Sequence, residues 1–255
     1  MIRISIYKVL SIIVFALLYL FTALMIIAGF PFMLLRAKGI VRSMMRFWAT
    51  SVFLLMGMKI EVTGLENLLK SKRFILVANH SSLFDIIAIV SIFPDLAWFG
   101  HERLMKIPVF RQVLVLTDYI PMRKATIRNT REMVNQLIER SRKRNIAIFP
   151  EGTRTLDGRM SDFYRGFIIL VRSTSTDVLP VTLNGFYSLK PKNRSYIDFS
   201  SKLSVIIHEP FSGEFLKSKS DGEIAGIIRS RIESAHIDLA SPGEELSGVS
   251  LKSSD

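Results

Sequence analysis

His80 and Asp85 stand five positions apart in the stretch Asn79-His80-Ser81-Ser82-Leu83-Phe84-Asp85. An imidazole beside a carboxylate can work as a general base, the carboxylate holding one ring nitrogen as a donor and leaving the other free to take a proton. On an uninterrupted helix five residues turn through about 500°, which leaves the two side chains about 140° apart and facing different ways. They meet only if the chain turns between them. Ser81 and Ser82 permit that turn, since serine is a favoured N-cap and Ser82-x-x-Asp85 fits a capping box. Asp85 then falls in the first turn of a helix, where the dipole favours its charged form. In the competing reading Asp85 only caps a helix and His80 only ends a strand, and the pair alone does not decide between them.

The flanking segments fit a strand-to-helix junction. Phe74–Ala78 is a short apolar run that reads as a buried strand, and residues 83–93, rich in Ile, Leu and Phe up to Pro94, read as a buried helix. A second polar stretch, Phe149-Pro150-Glu151-Gly152-Thr153-Arg154, follows another apolar strand at residues 146–149. By itself it reads equally well as a strand-ending turn with a surface ion pair.

Taken together the two stretches resemble the 1-acylglycerol-3-phosphate O-acyltransferase family, whose signatures N-H-x-x-x-x-D and F-P-E-G-T-R both stand here in full and in order. Leu104-Met105-Lys106-Ile107-Pro108, Tyr119-Ile120-Pro121-Met122-Arg123 and Val178-Leu179-Pro180-Val181 are similar to further blocks of that family, so the resemblance covers roughly residues 60–210. It implies transfer of a fatty acyl chain from acyl-CoA or acyl-carrier protein to the sn-2 hydroxyl of 1-acylglycerol 3-phosphate, with no other cofactor and no acyl-enzyme. His80 becomes the base and Asp85 its partner. Arg123, Glu151, Gly152, Thr153 and Arg154 become substrate-binding residues: the arginines as forks for a phosphate, Glu151 on the glycerol or holding an arginine, and Gly152 allowing close approach of the loop. Backbone amides at the helix start are the expected oxyanion donors. One departure bears on acceptor choice. Relatives commonly carry glycines where this chain has Arg111 and Thr117-Asp118, which leaves a lyso-ornithine lipid or another lysolipid open, as is an inactive membrane-anchored lipid-binding module.

Other chemistries find less support. The chain has no cysteine, which excludes disulfides, thiolate metal sites and cysteine nucleophiles. No G-x-S-x-G elbow surrounds Ser81 or Ser82. His101, His208 and His236 are scattered without metal-ligand spacing. A net charge of +12 and a pI near 10.1 call for an anionic partner. No nucleic-acid motif accompanies that charge.

The N-terminus points to lipid. Residues 9–35 carry no charge, and a helix over residues 9–30 is about 33 Å long, against a hydrocarbon core of about 30 Å. The run is too long for the core of a signal peptide, and no small-residue cleavage site follows it. Arg36, Lys38, Arg42 and Arg46 follow it against Arg3 and Lys8 before it, so a spanning helix leaves the catalytic part in the cytoplasm. Gly29 and Pro31 also allow residues 9–35 and the apolar residues 40–56 to form a pair that dips into one leaflet. Membrane lipids are thus expected partners, and the family resemblance implies lysophosphatidic acid as another.

The rest reads as alternating strands and helices, an α/β fold with a mixed sheet flanked by helices. Residues 1–58 form the membrane-anchoring segment, 59–240 the acyltransferase domain, and 241–255 a Ser-, Gly- and Glu-rich disordered tail. Within the domain, residues 196–199 and 203–207 read as a hairpin and residues 221–239 as a last amphipathic helix. Arg140, Arg142, Lys143 and Arg144 close a helix, either as a solvated end or as a contact for anionic lipid.

Overall fold

The long apolar run coils because nothing in it offers the backbone a better partner than its own carbonyls. In the computed structural model, which describes residues 2–106, 111, 114–122 and 126–237, it forms α1 (Ile2–Leu34), followed after a short turn by α2 (Lys38–Leu55). At 33 residues, α1 is about 50 Å long. The two helices pack as a hairpin, with Gly29 close to Met44 and Trp48 Nε1 donating to Thr22 Oγ1 at 3.0 Å.

Seven strands make one sheet: β1 (Ile60–Thr63), β2 (Phe74–Ala78), β3 (Leu96–His101), β4 (Ile120–Met122), β5 (Asn145–Ile148), β6 (Asp177–Asn184) and β7 (Leu203–Ile207). Their order is β1-β7-β6-β2-β5-β3-β4, parallel throughout except between β6 and β7. The sheet is therefore mixed. Strand β2 is buried at all five positions, which is why it reads as an unbroken apolar run rather than an alternation.

Beyond the hairpin the described residues include the α-helices α3 (Phe84–Ile92), α4 (Ile127–Lys143), α5 (Arg165–Thr174), α6 (Phe186–Leu189), α7 (Gly213–Lys217) and α8 (Asp221–Glu233), besides short 3-10 helices at Leu65–Lys70 and Glu102–Lys106. On one face of the sheet Leu76, Leu179 and Val181 meet α3 and the hairpin through Ala88, Ile89, Val52 and Phe53. On the other face Ile75, Val77 and Ile146 meet Leu137 of α4, Phe167 of α5 and Ile224 of α8.

Both ends of α1 touch the α/β domain. Near its start, Ser11 Oγ accepts the Ile197 N–H at 2.8 Å, Tyr7 packs edge-on against Phe199, and Arg3 reaches Ser200. Val14 and Leu18 enter the same core as Ile197. At its far end Met33 packs with Val41 and Leu116, and Lys38 pairs with Asp118 at 3.2 Å. Between these points the helix exposes Ile12 (70%), Leu20 (59%) and Ile27 (69%).

Two sequence expectations are corrected. Residues 196–199 form no strand: Ile197 is drawn beneath α1, and the Asp198 N–H is taken by Leu189 O at 2.9 Å. Strand β7 instead pairs with β6 and β1. The last helix ends at Glu233 rather than 239, because Asn184 captures the chain just beyond it, donating to Ala235 O at 2.9 Å and accepting from Ile237 N at 3.0 Å. Arg123 and the tail at 241–255 lie outside the described residues.

Gly185, which links β6 to α6, has φ +84°, and an added Cβ would sit 1.9 Å from the Lys202 carbonyl oxygen. Left-handed backbone costs a non-glycine residue about 1–3 kcal/mol before any clash. Gly185→Ala is expected to melt about 6–12 °C below the parent, taking about 3 kcal/mol in a domain of this size. A melting temperature within about 2 °C by thermal scanning fluorimetry would contradict this turn.

Candidate active site

Three parallel neighbours, β6, β2 and β5, end at the same edge of the sheet, and the candidate residues follow those ends. Beyond β2 the ladder is continued by a side chain. The amide of Asn79 donates to Leu183 O at 2.9 Å and accepts from Leu183 N at 2.8 Å, fastening the strand end to β6. Asn79 thus supports the next residue from behind.

His80 is held through its backbone by the second polar stretch. Its N–H donates to Glu151 Oε1 at 2.7 Å, and its carbonyl accepts from Thr155 N at 2.9 Å. Its ring stacks on Phe149, centroids 3.9 Å apart and planes 12° from parallel. The chain then turns as the serines allow, and His80 Nδ1 comes to 2.8 Å from Asp85 Oδ2.

That one oxygen also accepts the N–H groups of Ser81 and Ser82, at 2.6 and 2.8 Å. Asp85 is 0% exposed, at the first turn of α3, so amides and helix dipole replace the water its carboxylate gave up. With Nδ1–H donating to Asp85, Nε2 carries the free lone pair. The capping box is half formed. Asp85 reaches back to the Ser82 N–H, but Ser82 Oγ accepts from Phe84 N and donates to Lys190 O at 2.7 Å. Ser82 is thereby fixed as a brace, and Ser81 is 1% exposed, so neither hydroxyl can reach a substrate. The Ser81 and Ser82 amides, just ahead of the helix start where oxyanion donors are expected, are committed to Asp85.

Glu151 faces inward. It is 1% exposed, its Oε1 on the His80 N–H and its Oε2 on the Ser161 N–H at 2.8 Å. Burial pushes its pKa up from 4.5 to about 7, against the pull of those two amides. It joins the two signature loops rather than facing the cleft. Gly152 has φ +67°, and an added Cβ would lie 2.9 Å from the Tyr164 ring, so glycine serves both the turn and the aromatic packing. Thr153 is exposed beside it, and Arg154 is half-buried with no hydrogen bond or ion pair to another described residue.

Two cations near Arg154 carry no motif. Lys190, held at the His80 turn through its carbonyl, has its pKa lowered by burial and by the charges of Arg154 and Arg194. Tyr187 Oη donates to Leu156 O at 2.8 Å, fastening α6 to the loop that bears Arg154. Only the sheet order brings residues 154 and 190 together. A cleft opens beside His80, walled by Phe99, Met122, Ile148, Phe149, Tyr164 and Phe167. His80 lines this apolar cleft, and Lys190 is tied to the turn that bears it with the charges of Arg154 and Arg194 close by, an arrangement that suits a substrate with an anionic head and a hydrocarbon tail.

Glu151 gives the site a pH signature. Its folded pKa of about 7 exceeds the 4.5 of the unfolded chain, so the folded state holds the proton more tightly and stability falls as pH rises between those values. Relative to Glu151→Gln, the parent should lose melting temperature from about pH 4.5 to 7 and level off above. The amide variant should be less stable at every pH, because its NH₂ faces one of two N–H donors. A melting difference independent of pH would place Glu151 in water.

The acyltransferase family model matches residues 59–184. The chain is 29% identical over 206 residues to a chloroplast 1-acyl-sn-glycerol-3-phosphate acyltransferase of Arabidopsis thaliana, covering 79% of this chain and 56% of that one. It is 34% identical over 182 residues to the 1-acyl-sn-glycerol-3-phosphate acyltransferase of Borreliella burgdorferi, covering 70% and 72%. The crystal structure of the 1-acyl-sn-glycerophosphate acyltransferase PlsC from Thermotoga maritima superposes with a TM-score of 0.75 at 26% identity, over 89% of this chain and 97% of that one. The chain spans a little over half the length of the plant relative. With both signature loops meeting at His80, and with the Borreliella relative matched over most of its length, the chain belongs to the 1-acyl-sn-glycerol-3-phosphate acyltransferase family.

Proposed function

We propose that the protein is a membrane-bound O-acyltransferase that moves a fatty acyl chain from acyl-CoA or acyl-carrier protein to the sn-2 hydroxyl of 1-acylglycerol 3-phosphate, forming phosphatidic acid. The contact of His80 Nδ1 with Asp85 Oδ2 at 2.8 Å carries the reading. It leaves Nε2 to take the proton of the acceptor hydroxyl while that oxygen attacks the thioester carbonyl. As the new C–O bond forms and the C–S bond breaks, the imidazolium returns the proton to the leaving thiolate. Asp85 stabilises the imidazolium in between. The names of the relatives support lysophosphatidic acid as acceptor.

Arg154, with Lys190 beside it, is the grip on the acceptor's phosphate in this reading. Arg123, which the resemblance adds, lies outside the described residues. The cleft walled by Phe99, Met122 and Phe167 accepts hydrocarbon.

One helix among the described residues is long and apolar enough to cross a membrane, and its contacts favour lying in one leaflet over spanning. A helix whose two ends both touch the same domain cannot place one end on the far side of a bilayer from that domain. The apolar residues that α1 exposes between those ends are then covered by lipid, with the catalytic domain on the cytoplasmic surface.

Purified full-length protein, given labelled oleoyl-CoA and a panel of lysolipids, is expected to acylate lysophosphatidate. His80→Ala should lower kcat at least about a hundredfold, the range of a general base, and Asp85→Asn nearly as far. A variant keeping more than about a tenth of the rate would remove His80 from the chemistry.

The cations test the acceptor. Arg154→Ala and Lys190→Ala should each lower kcat/KM for lysophosphatidate about ten- to a hundredfold, each losing a charge-assisted hydrogen bond of about 1.5–3 kcal/mol. Monoacylglycerol should be a poor acceptor, little affected by either change. Equal losses on both acceptors would make these residues structural or donor-binding.

A further inference from the structure

The catalytic site leaves unused a second cluster of charge at the turn of the helical hairpin. Asp118 is buried, and its carboxylate takes Lys38 at 3.2 Å, Arg140 at 3.1 Å and Arg144 at 2.6 Å. Asp95 takes Arg42 at 2.9 Å and Arg144 at 2.6 Å. These six side chains, four cations and two carboxylates, carry a net charge of +2. The undescribed residues 107–110, 112, 113 and 123–125 contain no acid.

The surplus is partly buried. Arg144's side chain is 10% exposed, and its Nε and that of Arg42 have no hydrogen-bond acceptor among the described residues. Burial is the largest cause lowering the Arg144 pKa, and the like charge of Arg42 adds to it, against the opposing pull of Asp95 and Asp118. The outer cations stay accessible, Lys38 at 46% and Arg140 at 38%. Two guanidinium nitrogens without acceptors, beneath exposed cations, describe a place short of anionic oxygen.

Its position says where the oxygen comes from. Lys38 opens α2, just past the hairpin turn, where Leu34 (64%), Leu35 (77%) and Ile40 (47%) are exposed. With those side chains in lipid, the cluster lies at headgroup level, where basic pockets hold anionic lipid. We propose that Lys38, Arg42, Arg140 and Arg144 form a binding site for the phosphodiester headgroup of an anionic membrane phospholipid, separate from the catalytic cleft. The lipid completes the ion cluster that fixes the hairpin to the end of α4.

The proposal rests on the hairpin lying in the bilayer, which flotation of the full-length chain with neutral phosphatidylcholine vesicles tests separately: no flotation would defeat that reading first. For the site itself, the full-length chain in neutral detergent micelles is titrated with phosphatidylglycerol and phosphatidylcholine, each labelled in the acyl chain. Phosphatidylglycerol should bind more tightly, and the double variant Lys38→Ala/Arg140→Ala should lose at least about tenfold of that preference. The control Lys72→Ala/Lys217→Ala, with the same loss of charge at exposed positions elsewhere, should keep it. Lys38→Arg/Arg140→Lys should largely retain it. Both alanine doubles weakening binding equally would reduce the effect to general electrostatics and overturn the proposal. So would loss of binding in Arg154→Ala alone, which would put the lipid in the catalytic cleft, or displacement by inorganic phosphate as complete as by phosphatidylglycerol, which would make the ligand a soluble anion.

Discussion

The site depends on one constraint: β6, β2 and β5 are adjacent and parallel, so whatever follows their ends meets at one edge. His80 follows β2, Glu151 and Arg154 follow β5, and Lys190 follows β6 by way of α6. The segments are far apart in the chain, so no local propensity could bring them together. In open α/β sheets the carboxyl ends of parallel strands are where ligands bind, because chain ends there diverge and leave a crevice. Here the crevice is drawn together by polar bridges: Asn79 to Leu183, His80 to Glu151 and Thr155, Ser82 to Lys190, and Tyr187 to Leu156.

Those bridges divide the two carboxylates of the site by role. Asp85 and Glu151 are both almost wholly buried, and each accepts backbone N–H groups. Asp85 has a third donor, the imidazole, and the start of a helix behind it. Glu151 has neither, and burial outweighs its two amides, lifting its pKa to about 7. The carboxylate supported by the helix is therefore the one suited to facing a cation that comes and goes. Glu151 is suited to joining loops.

Much of this was legible. The meeting of His80 with Asp85 followed from turn chemistry within a few residues, and the strands of the sheet core from short apolar runs. What stayed hidden was non-local. From sequence Glu151 reads as a contact for the glycerol or a holder of an arginine, and its partner in the structure is the backbone of His80, 71 positions earlier. Tyr196-Ile197-Asp198-Phe199 alternates like a strand, but Ile197 answers to Ser11, 186 positions away. Lys190 is one lysine among many until the sheet order sets it beside Arg154. Spanning and dipping were indistinguishable because composition measures how apolar a helix is, not what its two ends touch.

Asp118 holds the turn before β4 in a backbone conformation that few residues other than glycine adopt freely. Its φ is +60°, a left-handed conformation that glycine adopts freely and that Asp and Asn tolerate better than other residues. From that turn its carboxylate projects into Lys38, Arg140 and Arg144. A buried carboxylate there is stable only because those cations surround it, and it offsets part of their mutual repulsion. The turn thus works electrostatically, joining the hairpin to α4. The turn beside β4 thereby couples the helical hairpin to the sheet that carries His80.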